Sequence, residues 1–336
     1  MRVLITGATG FLGSRIASQL SARGDLVRAL VRESSDRSRL EGLDVELAFG
    51  DVADKASVEA ALDRVDLVIH CAALVEFGPR DPEKLRRVNV EGTQNVLGGA
   101  AERSIPAVHV SSLAALGATP SDADPQDETY WNDGPPAAVY EETKREAHLF
   151  ARGLAAQGAP VRIAIPGGIY GFGDRSTMYD LIRLYTLYPL PVGYLPDVRQ
   201  SVVNVDDCAD AILRIAEDGA DGDEYLVVAD VVTIAEWLRI ICRAAGRRGP
   251  FVFLPTAWVR ALAIPGAKVA GWFGQPPDMV PETVAVATHD SAYSGAKLRR
   301  ELGWSPRSLG QGMAEMTRQI KHAERQRRAA RQRSRS

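Results

Sequence analysis

The first fourteen residues, MRVLITGATGFLGS, constrain the fold of this chain more than any other segment. The apolar run at residues 3–5 has the length of a buried strand, and a helical pattern begins within the glycine-rich stretch that follows it. A glycine turn in this position lets the backbone approach a pyrophosphate, whose charge the helix N-terminus stabilises. The G-x-x-G-x-x-G spacing differs from the G-x-G-x-x-G fingerprint, so an ordinary strand-to-helix turn is the alternative interpretation. We predict a dinucleotide-binding turn formed by Gly7, Thr9, Gly10, Phe11, Leu12 and Gly13.

Short β-branched runs alternate with helical patterns through the first half of the chain. These runs cover residues 3–5, 26–31, 45–49, 67–70, 107–111 and 161–165. Such alternation is typical of an α/β fold in which crossover helices connect the strands of a parallel sheet. We therefore predict a Rossmann doubly wound parallel sheet, with its ligand at the C-terminal ends of the strands.

The alternation weakens after Pro166, where proline and tyrosine become frequent. We predict a Rossmann dinucleotide-binding domain over residues 1–167, with returns to the sheet near residues 202–232. Residues 168–312 are expected to form mainly a smaller, interleaved C-terminal substrate-binding lobe. Residues 313–336 are expected to contain the end of a C-terminal helix and a basic, disordered tail, because the chain is rich in Arg, Gln and Ser beyond Glu324.

The distribution of charge and cysteine limits the partners of the chain. The whole chain has a net charge of −3, whereas residues 318–336 contain eight Lys or Arg and one acid. This balance argues against specific nucleic-acid binding, and a solvated tail is the simpler interpretation of the basic end. Three widely spaced cysteines without a Cys-x-x-Cys pair indicate a reducing compartment and no metal site. Since we find neither a secretion signal nor an uncharged span of membrane length, we expect a cytoplasmic protein.

Basic residues follow the second predicted strand. In dinucleotide-binding folds this strand ends in an acid that binds the ribose of NAD, or an arginine nearby accommodates the 2′-phosphate of NADP. Arg32 ends the strand here, Glu33 follows it, and Arg37 and Arg39 lie close by. A guanidinium binds a phosphate through charge-assisted hydrogen bonds, so we predict NADP, with NAD as the alternative. An Arg32 that merely faces solvent would leave the cofactor undetermined.

The ends of the third and fourth predicted strands supply further candidates. Asp51 and Val52 follow the third strand, where the Asp51 carboxylate could accept a hydrogen bond from the adenine amine. Asp51 could instead cap the next helix, a role equally open to Asp54. After the fourth strand, a series of small residues would let the backbone pass close to the cofactor, at Cys71, Ala72 and Ala73.

Tyr140 and Lys144 are the candidate catalytic pair. They lie four residues apart in a predicted helix and therefore on one face of it. A phenol has a pKa of about 10, and a lysine cation about 5 Å away would stabilise its anion by roughly 3 kcal/mol at an effective dielectric constant of about 20. Such pairs also occur by chance on helix surfaces, but Ser112 closes a strand at the expected ligand edge, where its hydroxyl could bind the same substrate oxygen. Ser111 is the alternative, and only one can serve because adjacent strand residues point to opposite faces.

The chain resembles the extended short-chain dehydrogenase/reductase superfamily over residues 1–313. The matching motifs are TGATGFLG, GDVAD, VIHCAA, VNVEGTQNVL, HVSSLAALG, YEETKREA, PGGIYGFGD, VNVDDCADA and LRRELGWSP. The resemblance implies that Ser112 is the catalytic serine, that Tyr140 donates or accepts a proton, and that Lys144 holds the ribose and lowers the pKa of Tyr140. It also implies a mainly architectural Asn89, a homodimer, and contacts to the nicotinamide side from Pro166, Gly167 and Ile169.

Within this superfamily, the segment ALVRESSDRSRLEGLDVELAFGDV is most similar to dihydroflavonol-4-reductase-like and hopanoid-associated sugar-epimerase-like proteins. Gly168 stands where sugar-nucleotide epimerases usually have an asparagine, and Leu113 and Ala114 stand where sugar dehydratases have acids. Gly117 replaces the asparagine with which flavonoid reductases bind substrate. The resemblance therefore implies an NAD(P)-dependent oxidoreductase that transfers hydride between NADP(H) and a carbonyl or secondary alcohol. Two alternatives stay open: a nucleotide-sugar epimerase or dehydratase with tightly bound NAD, and a non-catalytic dinucleotide-sensing protein.

The aromatic residues of the predicted lobe suggest a small hydrophobic substrate. They could line a pocket or could equally form the core of the lobe itself, and they are Tyr170, Phe172, Tyr179, Tyr185 and Tyr188. The apolar segment at residues 258–273 contains scattered Arg and Lys, and a weak contact with a membrane surface is one interpretation of it.

Overall fold

A seven-stranded sheet forms the centre of the molecule. The computed structural model describes residues 1–272 and 279–333. Its strands are β1 (Arg2–Thr6), β2 (Leu26–Val31), β3 (Val45–Phe49), β4 (Leu67–His70), β5 (Ala107–Val110), β6 (Val161–Pro166), β7 (Gly168–Tyr170), β8 (Val192–Tyr194), β9 (Arg199–Asn204), β10 (Glu224–Val227), β11 (Asp230–Thr233) and β12 (Val252–Leu254). Its helices are α1 (Phe11–Ala22), α2 (Lys55–Ala61), α3 (Pro82–Arg86), α4 (Gly92–Glu102), α5 (Leu113–Leu116), α6 (Val139–Ala156), α7 (Thr177–Leu187), α8 (Val205–Asp218), α9 (Ile234–Ala244), α10 (Thr256–Ala261), α11 (Ala263–Trp272), α12 (Met279–Ala287), α13 (Ala296–Leu302) and α14 (Leu309–Arg333). A 3₁₀ turn at Ser38–Leu40 and a π-helical turn at Arg87–Glu91 are the shorter elements.

The main sheet has the strand order β3, β2, β1, β4, β5, β6, β10, and each neighbouring pair in it is parallel. The strand order reverses between β1 and β4, and such a reversal opens a crevice at the C-terminal ends of the strands, where ligands bind. At this point Thr6 pairs with Leu30 of β2 on one side and with His70 of β4 on the other. The predicted α/β Rossmann fold is confirmed.

Helices cover both faces of this sheet. Helices α1 and α8 pack on the face to which Val3 and Ile5 point, whereas α2, α4 and α6 cover the face to which Leu4 points. All three side chains are fully buried. Successive strand residues point to opposite faces, so a strand that is covered on both faces is apolar at every position. The unbroken apolar run in β1 is therefore the signature of a central parallel strand.

A smaller lobe follows β6. It contains two short sheets, ordered β11–β9–β7 and β12–β8, together with α7, α9 and α14. Its core is formed by buried residues that include Ile182, Trp237, Leu238, Met313 and Met316. The chain alternates between the two parts, because β7 and β9 precede α8, which packs on α1, and β10 then joins the edge of the main sheet beside β6.

The C-terminal helix α14 is longer than the sequence analysis indicated. It continues to Arg333, so most of the segment that was expected to be disordered is helical, and residues 334–336 lie outside the described residues. The ammonium of Lys321 donates to the Ala245 carbonyl at 2.7 Å, and Arg183 pairs with Glu324 at 3.0 Å. Arginine and glutamine have high helix propensities, which favours continuation of the helix past these contacts. Among the described residues, we find no helix that is both long and apolar enough to cross a bilayer.

Candidate active site

The glycine turn joins β1 to α1 at the C-terminal edge of the main sheet. Gly7 has a φ of +73°, a left-handed conformation that favours glycine, and a Cβ there would lie 2.8 Å from the backbone nitrogen of Ala72. The N–H of Gly10 donates to the Gly7 carbonyl at 2.9 Å, and Gly10 is the N-cap of α1. A Cβ on Gly13 would collide with the same carbonyl. The turn therefore has the close backbone approach and the helix N-terminus that a pyrophosphate site requires.

A cleft of about 260 Å³ opens at this turn. The predicted cofactor residues that line it are Gly7, Thr9, Gly10, Arg32, Asp51, Val52, Cys71, Ala72 and Ala73. The sequence analysis missed other lining residues, namely Leu30, Val31, Ser35, Gly50, Leu74 and Val88. Val31, Gly50 and Leu74 directly adjoin predicted positions, and Leu30 lies one residue further away. Extension of each motif by one or two residues would have found these four residues. Val88 lies in the π-helical turn, where it begins the motif VNVEGTQNVL and adjoins Asn89, to which the sequence analysis gave only an architectural role.

Three predicted residues of the glycine turn lie outside the lining of the cleft. The ring of Phe11 lies 5.6 Å from the guanidinium carbon of Arg39. Leu12 packs against the buried core of the main sheet. Gly13 lets α1 approach the turn closely. The side chains of Phe11 and Leu12 therefore have packing contacts, and the contact of all three residues with the cofactor stays a prediction.

The residues expected on the nicotinamide side also lie outside the lining of the cleft. Pro166 is the last residue of β6. Gly167 follows it and lies close to β9, because a Cβ on Gly167 would be only 2.7 Å from the Ser201 carbonyl oxygen. Ile169 packs against the core of the main sheet. These three residues join the main sheet to the smaller lobe, and their contact with the nicotinamide side stays a prediction.

Arg32 supplies positive charge to the cleft. The N–H of Ser35 donates to its carbonyl at 3.0 Å, which bends the chain so that both residues line the cleft. Arg37 and Arg39, the other two arginines of this segment, have contacts outside the cleft. Arg37 lies 5.6 Å from the centre of the Phe49 ring, and Arg39 donates to the Gly173 carbonyl.

Asp51 and Asp54 have different roles. The side chain of Asp54 is the N-cap of α2 and accepts from the backbone N–H groups of Ala56 and Ser57. Asp51 accepts from the N–H of Ala53 at 3.0 Å and lines the cleft. The sequence left open whether Asp51 or Asp54 caps α2. The structure shows that Asp54 caps this helix, whereas the Asp51 carboxylate lies at the cleft.

A buried hydrogen-bond chain starts beside the glycine turn. Thr6 Oγ1 accepts from the N–H of Ala72 at 3.2 Å and lies 2.7 Å from His70 Nδ1. His70 Nε2 lies 3.0 Å from Thr93 Oγ1, whose own proton is donated to the Asn89 carbonyl at 2.7 Å. Thr93 must therefore accept from Nε2, which leaves Nδ1 to accept from the Thr6 hydroxyl. Burial, reinforced by the charge of Lys144, lowers the pKa of His70 to about 3, so the ring is neutral.

Asn89 extends this chain to the catalytic helix. Its side chain accepts from the N–H of Leu74 at 2.7 Å and donates to the Leu74 carbonyl at 3.0 Å. It also donates to Thr143 Oγ1 at 3.0 Å, and Thr143 donates to the Tyr140 carbonyl at 2.9 Å. The bonds to Leu74 fix the segment that follows Ala73 at the cleft, and the bond to Thr143 fixes α6.

The two serines at the end of β5 have separate environments. The hydroxyl of Ser111 lies 2.9 Å from Nδ1 of the buried His148. Ser112 is the N-cap of α5 and accepts from the N–H of Ala114 at 3.2 Å, and its hydroxyl also stabilises the phenolate form of Tyr140. Ser112 is therefore the serine that contacts Tyr140.

Tyr140 lies in the first turn of α6, and its ring packs edge to face against the Phe77 ring with 5.9 Å between the ring centres. Burial raises the pKa of Tyr140, the Ser112 hydrogen bond opposes this, and the Glu141 carboxylate adds to it. The sequence analysis expected Lys144 to lower this pKa. The net direction is upward because desolvation of the phenolate is the largest effect.

Lys144 lies one turn along α6 from Tyr140 and is almost fully buried. Its ammonium donates to the Val110 carbonyl at 3.2 Å. Burial lowers the pKa of Lys144 to about 8, and the neighbouring Cys71 opposes the shift. A buried ammonium between β5 and the cleft wall is placed to bind a polar group of a ligand that enters the cleft.

The aromatic residues of the smaller lobe do not converge on one pocket. Tyr170 and Tyr185 are buried in the core of the lobe. Phe172 and Tyr179 pack edge to face with a ring separation of 6.4 Å, and Tyr188 is exposed. The interpretation of these residues as lobe core therefore holds for Tyr170 and Tyr185. Phe273, at the end of the predicted apolar segment, lies outside the described residues.

The geometry of the cleft fits a dinucleotide. Backbone groups of the glycine turn face a space that a Cβ on Gly7 would narrow, Arg32 and Asp51 stand at one end, and Ser112 with Tyr140 and Lys144 belong to the adjoining strand end and helix. Within residues 1–272 and 279–333, no group of three or more His, Cys, Asp or Glu side chains is placed to hold a metal ion.

Comparison with known proteins agrees with this geometry. The model of the NAD dependent epimerase/dehydratase family matches residues 3–229. Sterol demethylase protein B of Methylococcus capsulatus is 30% identical over 321 residues, which are 94% of this chain and 97% of that protein. A 4-hydroxy-2-methyl-3-oxo-4-farnesyl-3,4-dihydroquinoline-1-oxide ketoreductase of Stigmatella aurantiaca is 28% identical, and the match covers 95% of this chain and 96% of that protein.

The fold also matches solved structures. The crystal structure of gox2253 superimposes with a TM-score of 0.82 at 30% identity, over 96% of this chain and 98% of that chain. The family match, the relatives and the arrangement of Ser112, Tyr140 and Lys144 all agree with the resemblance found in the sequence. The chain belongs to the NAD dependent epimerase/dehydratase family of extended short-chain dehydrogenases/reductases.

Proposed function

We propose that this protein is an NADP(H)-dependent reductase or dehydrogenase that acts on a carbonyl or secondary alcohol of a hydrophobic substrate. The observation that carries the proposal is the contact between Ser112 and Tyr140 beside the buried ammonium of Lys144. A protein that only senses a dinucleotide needs the cleft but has no use for a serine, a phenol and an ammonium in this arrangement.

NADPH, when it is bound, supplies the hydride. Gly7, Thr9 and Gly10 would hold its pyrophosphate, and Asp51 would face the adenine. The exposed guanidinium of Arg32, at the end of β2, would bind the 2′-phosphate through charge-assisted hydrogen bonds. An acid at this position would repel that phosphate, so Arg32 favours NADP over NAD.

The proton follows a short path in this proposal. In the reduction direction the carbonyl carbon gains the hydride, and the Tyr140 hydroxyl gives its proton to the carbonyl oxygen, which becomes the alcohol. Ser112 hydrogen-bonds the same oxygen and holds it near the phenol. The Lys144 cation stabilises the Tyr140 phenolate that remains until a proton from solvent restores the phenol.

The substrate class is inferred from the relatives and from the mouth of the site. The two relatives described above carry the words sterol and farnesyl in their names. In this chain the apolar ring of Phe77 packs against Tyr140. We therefore propose a lipid, terpenoid, steroid or aryl carbonyl compound as substrate.

The test is oxidation of NADPH by the purified protein with a panel of steroid, terpenoid and aryl ketones and aldehydes. We expect Tyr140→Phe to lower kcat by roughly 100-fold or more on any active compound, because it removes the general acid. Tyr188→Phe is the matched control, since it removes the hydroxyl of an exposed tyrosine outside the site. Full turnover by Tyr140→Phe would refute the proposed chemistry.

Cofactor choice has its own test. Arg32→Ala should weaken NADPH binding by roughly tenfold to 100-fold and leave NADH binding nearly unchanged, because the lost hydrogen bonds to a charged phosphate contribute about 1.5–3 kcal/mol. Arg37→Ala is the control, since Arg37 packs on Phe49 and not in the cleft. Equal effects of Arg32→Ala on both cofactors would contradict the proposed preference.

A nucleotide-sugar epimerase that keeps NAD bound is the second candidate, and it rests on the family description itself. Such an enzyme would copurify with its cofactor and interconvert sugar nucleotides without net consumption of NAD(P)H. A protein that purifies without bound dinucleotide and consumes NADPH with a ketone excludes this candidate.

A further inference from the structure

The segment from β12 to α11 exposes a series of large apolar side chains. They are Phe251, Val252, Trp258, Leu262, Ile264 and Trp272, and the exposed fractions reach 64% for Trp258 and 83% for Trp272. Single exposed apolar residues are normal on protein surfaces, but six within 22 consecutive residues form a distinct feature. We call these six side chains, with the elements that carry them, the apolar surface.

The apolar surface is held in a fixed orientation by contacts on its inner side. Val259 and Phe253 pack against the core of the smaller lobe, and Arg260 donates to the side chain and the carbonyl of Thr288. Trp258 and Leu262 lie four residues apart in and directly after α10, where the N–H of Leu262 donates to the Trp258 carbonyl at 3.0 Å. The outward direction of these two side chains is therefore set by packing on the opposite face of α10.

The only charged side chains in the segment that contains the apolar surface are positive. Residues 237–277 contain six Lys or Arg and no acid, in a chain whose net charge is −3. Within residues 1–272 and 279–333, Arg243, Arg248 and Lys268 are exposed and form no salt bridge. Aromatic and aliphatic side chains with basic neighbours are the composition of an interfacial membrane anchor.

Helix α14 adds charge at the same end of the lobe. Leu309 at its start bonds to Asp230, before α9 begins, and Lys321 bonds to Ala245, just after α9 ends. Helices α14 and α9 therefore run side by side in the same direction. The later part of α14, with Arg325, Arg327 and Arg328, continues past the end of α9, where the chain also turns towards Arg248 and β12.

The apolar surface is connected to the mouth of the candidate active site. Helices α10 and α11 both pack on α12. From α12, the carboxylate of Glu282 accepts from the N–H of Gly78 at 2.6 Å, and the neighbouring Phe77 packs on Tyr140. Helix α12 therefore contacts both the helices of the apolar surface and the segment that packs on Tyr140.

We propose that the apolar surface docks on anionic phospholipid bilayers. The apolar side chains enter the headgroup boundary, and Arg243, Arg248 and Lys268 contact the phosphates. This mode of contact needs no spanning helix. The proposal concerns binding alone, so its test uses no substrate, and its outcome is independent of the proposed reductase activity.

The test is cosedimentation of the full chain with vesicles of phosphatidylcholine alone or mixed with phosphatidylglycerol. We expect binding to the mixed vesicles that weakens with salt. Lys268→Glu with Arg248→Glu should lower the partition coefficient by roughly tenfold or more, because each basic residue near an anionic surface contributes about 1 kcal/mol. Trp258→Ser with Leu262→Ser should lower it further, and Leu149→Ser, an exposed leucine of α6, is the matched control.

A second measurement locates the contact. Vesicles that contain brominated phosphatidylcholine quench tryptophan fluorescence at short range, and Trp237 and Trp304 are buried in the protein. We expect quenching that is lost in Trp258→Phe with Trp272→Phe. Folding of each variant is checked by thermal unfolding. Absence of binding to the mixed vesicles, binding that these variants leave unchanged, or self-association through Trp258 without vesicle binding would each overturn the proposal.

Discussion

The hydroxyl of Ser111 lies 2.9 Å from Nδ1 of His148, and both side chains are buried. The ring of His148 stacks on Trp131, and its Nε2 lies 3.5 Å from Glu224, which Arg152 also binds. Ser111 is therefore part of a network that joins β5, α6 and β10. The next residue along the chain, Ser112, is left to contact Tyr140.

Substitution of the two serines should separate stability from catalysis. Ser111→Ala leaves Nδ1 of His148 without a partner, so we expect a loss of about 1–3 kcal/mol in the free energy of unfolding. Ser112→Ala removes a hydrogen bond to the reacting oxygen, so we expect kcat to fall by roughly 100-fold. Because it also removes the N-cap of the short helix α5, we expect a loss of about 1 kcal/mol in the free energy of unfolding. Urea unfolding and NADPH oxidation measure the two effects. A larger loss of kcat in folded Ser111→Ala than in Ser112→Ala would reverse the assignment.

The glycine turn allows a matched comparison of two glycines with positive φ. Gly7 and Gly24 have φ values of +73° and +82°, but a Cβ on Gly7 would meet the backbone of Ala72, whereas a Cβ on Gly24 has no heavy atom within 4 Å. We expect Gly24→Ala to cost about 1 kcal/mol of backbone strain and to leave cofactor binding intact. Gly7→Ala should cost more and abolish dinucleotide binding, as measured by fluorescence titration with NADPH. Equal behaviour of the two variants would show that the close approach to Ala72 is unimportant.

Lys144 should make the stability of the protein depend on alkaline pH. Burial lowers its pKa from 10.5 to about 8, so between these values the unfolded chain binds a proton that the folded chain has released. Stability contributed by this group therefore rises with pH across that window. We expect wild type to gain about 2 kcal/mol relative to Lys144→Met between pH 8 and about pH 10. Because both proteins share all other titrating groups, urea unfolding of the pair isolates this effect, and a constant difference would contradict it.

His70 should make the stability of the protein depend on acidic pH. Its folded pKa of about 3 lies below the ordinary 6.5, so the unfolded chain gains a proton first as pH falls through this window, and stability is lost. We expect wild type to lose about 2 kcal/mol relative to His70→Gln between pH 6.5 and about pH 5. Glutamine is neutral throughout. The same acid dependence in wild type and His70→Gln would contradict the prediction.

The strands of the main sheet could be predicted from their short apolar and β-branched runs, although β4 is buried at every position whereas the edge strand β3 is largely exposed. The runs at residues 26–31, 45–49 and 67–70 coincide with β2, β3 and β4. The residues that follow these strands, Arg32, Asp51 and Cys71, line the cleft because parallel strands end at one edge. Local pattern and topology are sufficient for this part of the site.

Residues whose role depends on packing between distant segments could not be assigned in this way. Tyr170 and Tyr185 are aromatic residues of the kind that often line a ligand pocket, but both are buried in the core of the smaller lobe. Val88 lies in a π-helical turn and lines the cleft from a segment that directly follows none of the strands. The choice between Ser111 and Ser112 required the position of His148, which is 37 residues away from Ser111.

The position of β10 also has a consequence for synthesis of the protein. This strand pairs with β6, but the chain makes β7, β8, β9 and α8 between the two. A ribosome must therefore complete Val227 before the nascent main sheet receives its last strand. Until then the edge of β6 has unpaired backbone N–H and C=O groups, which is the condition under which strands of different chains associate. The interval between Pro166 and Val227 is thus a stage of translation at which the main sheet has an unpaired edge strand.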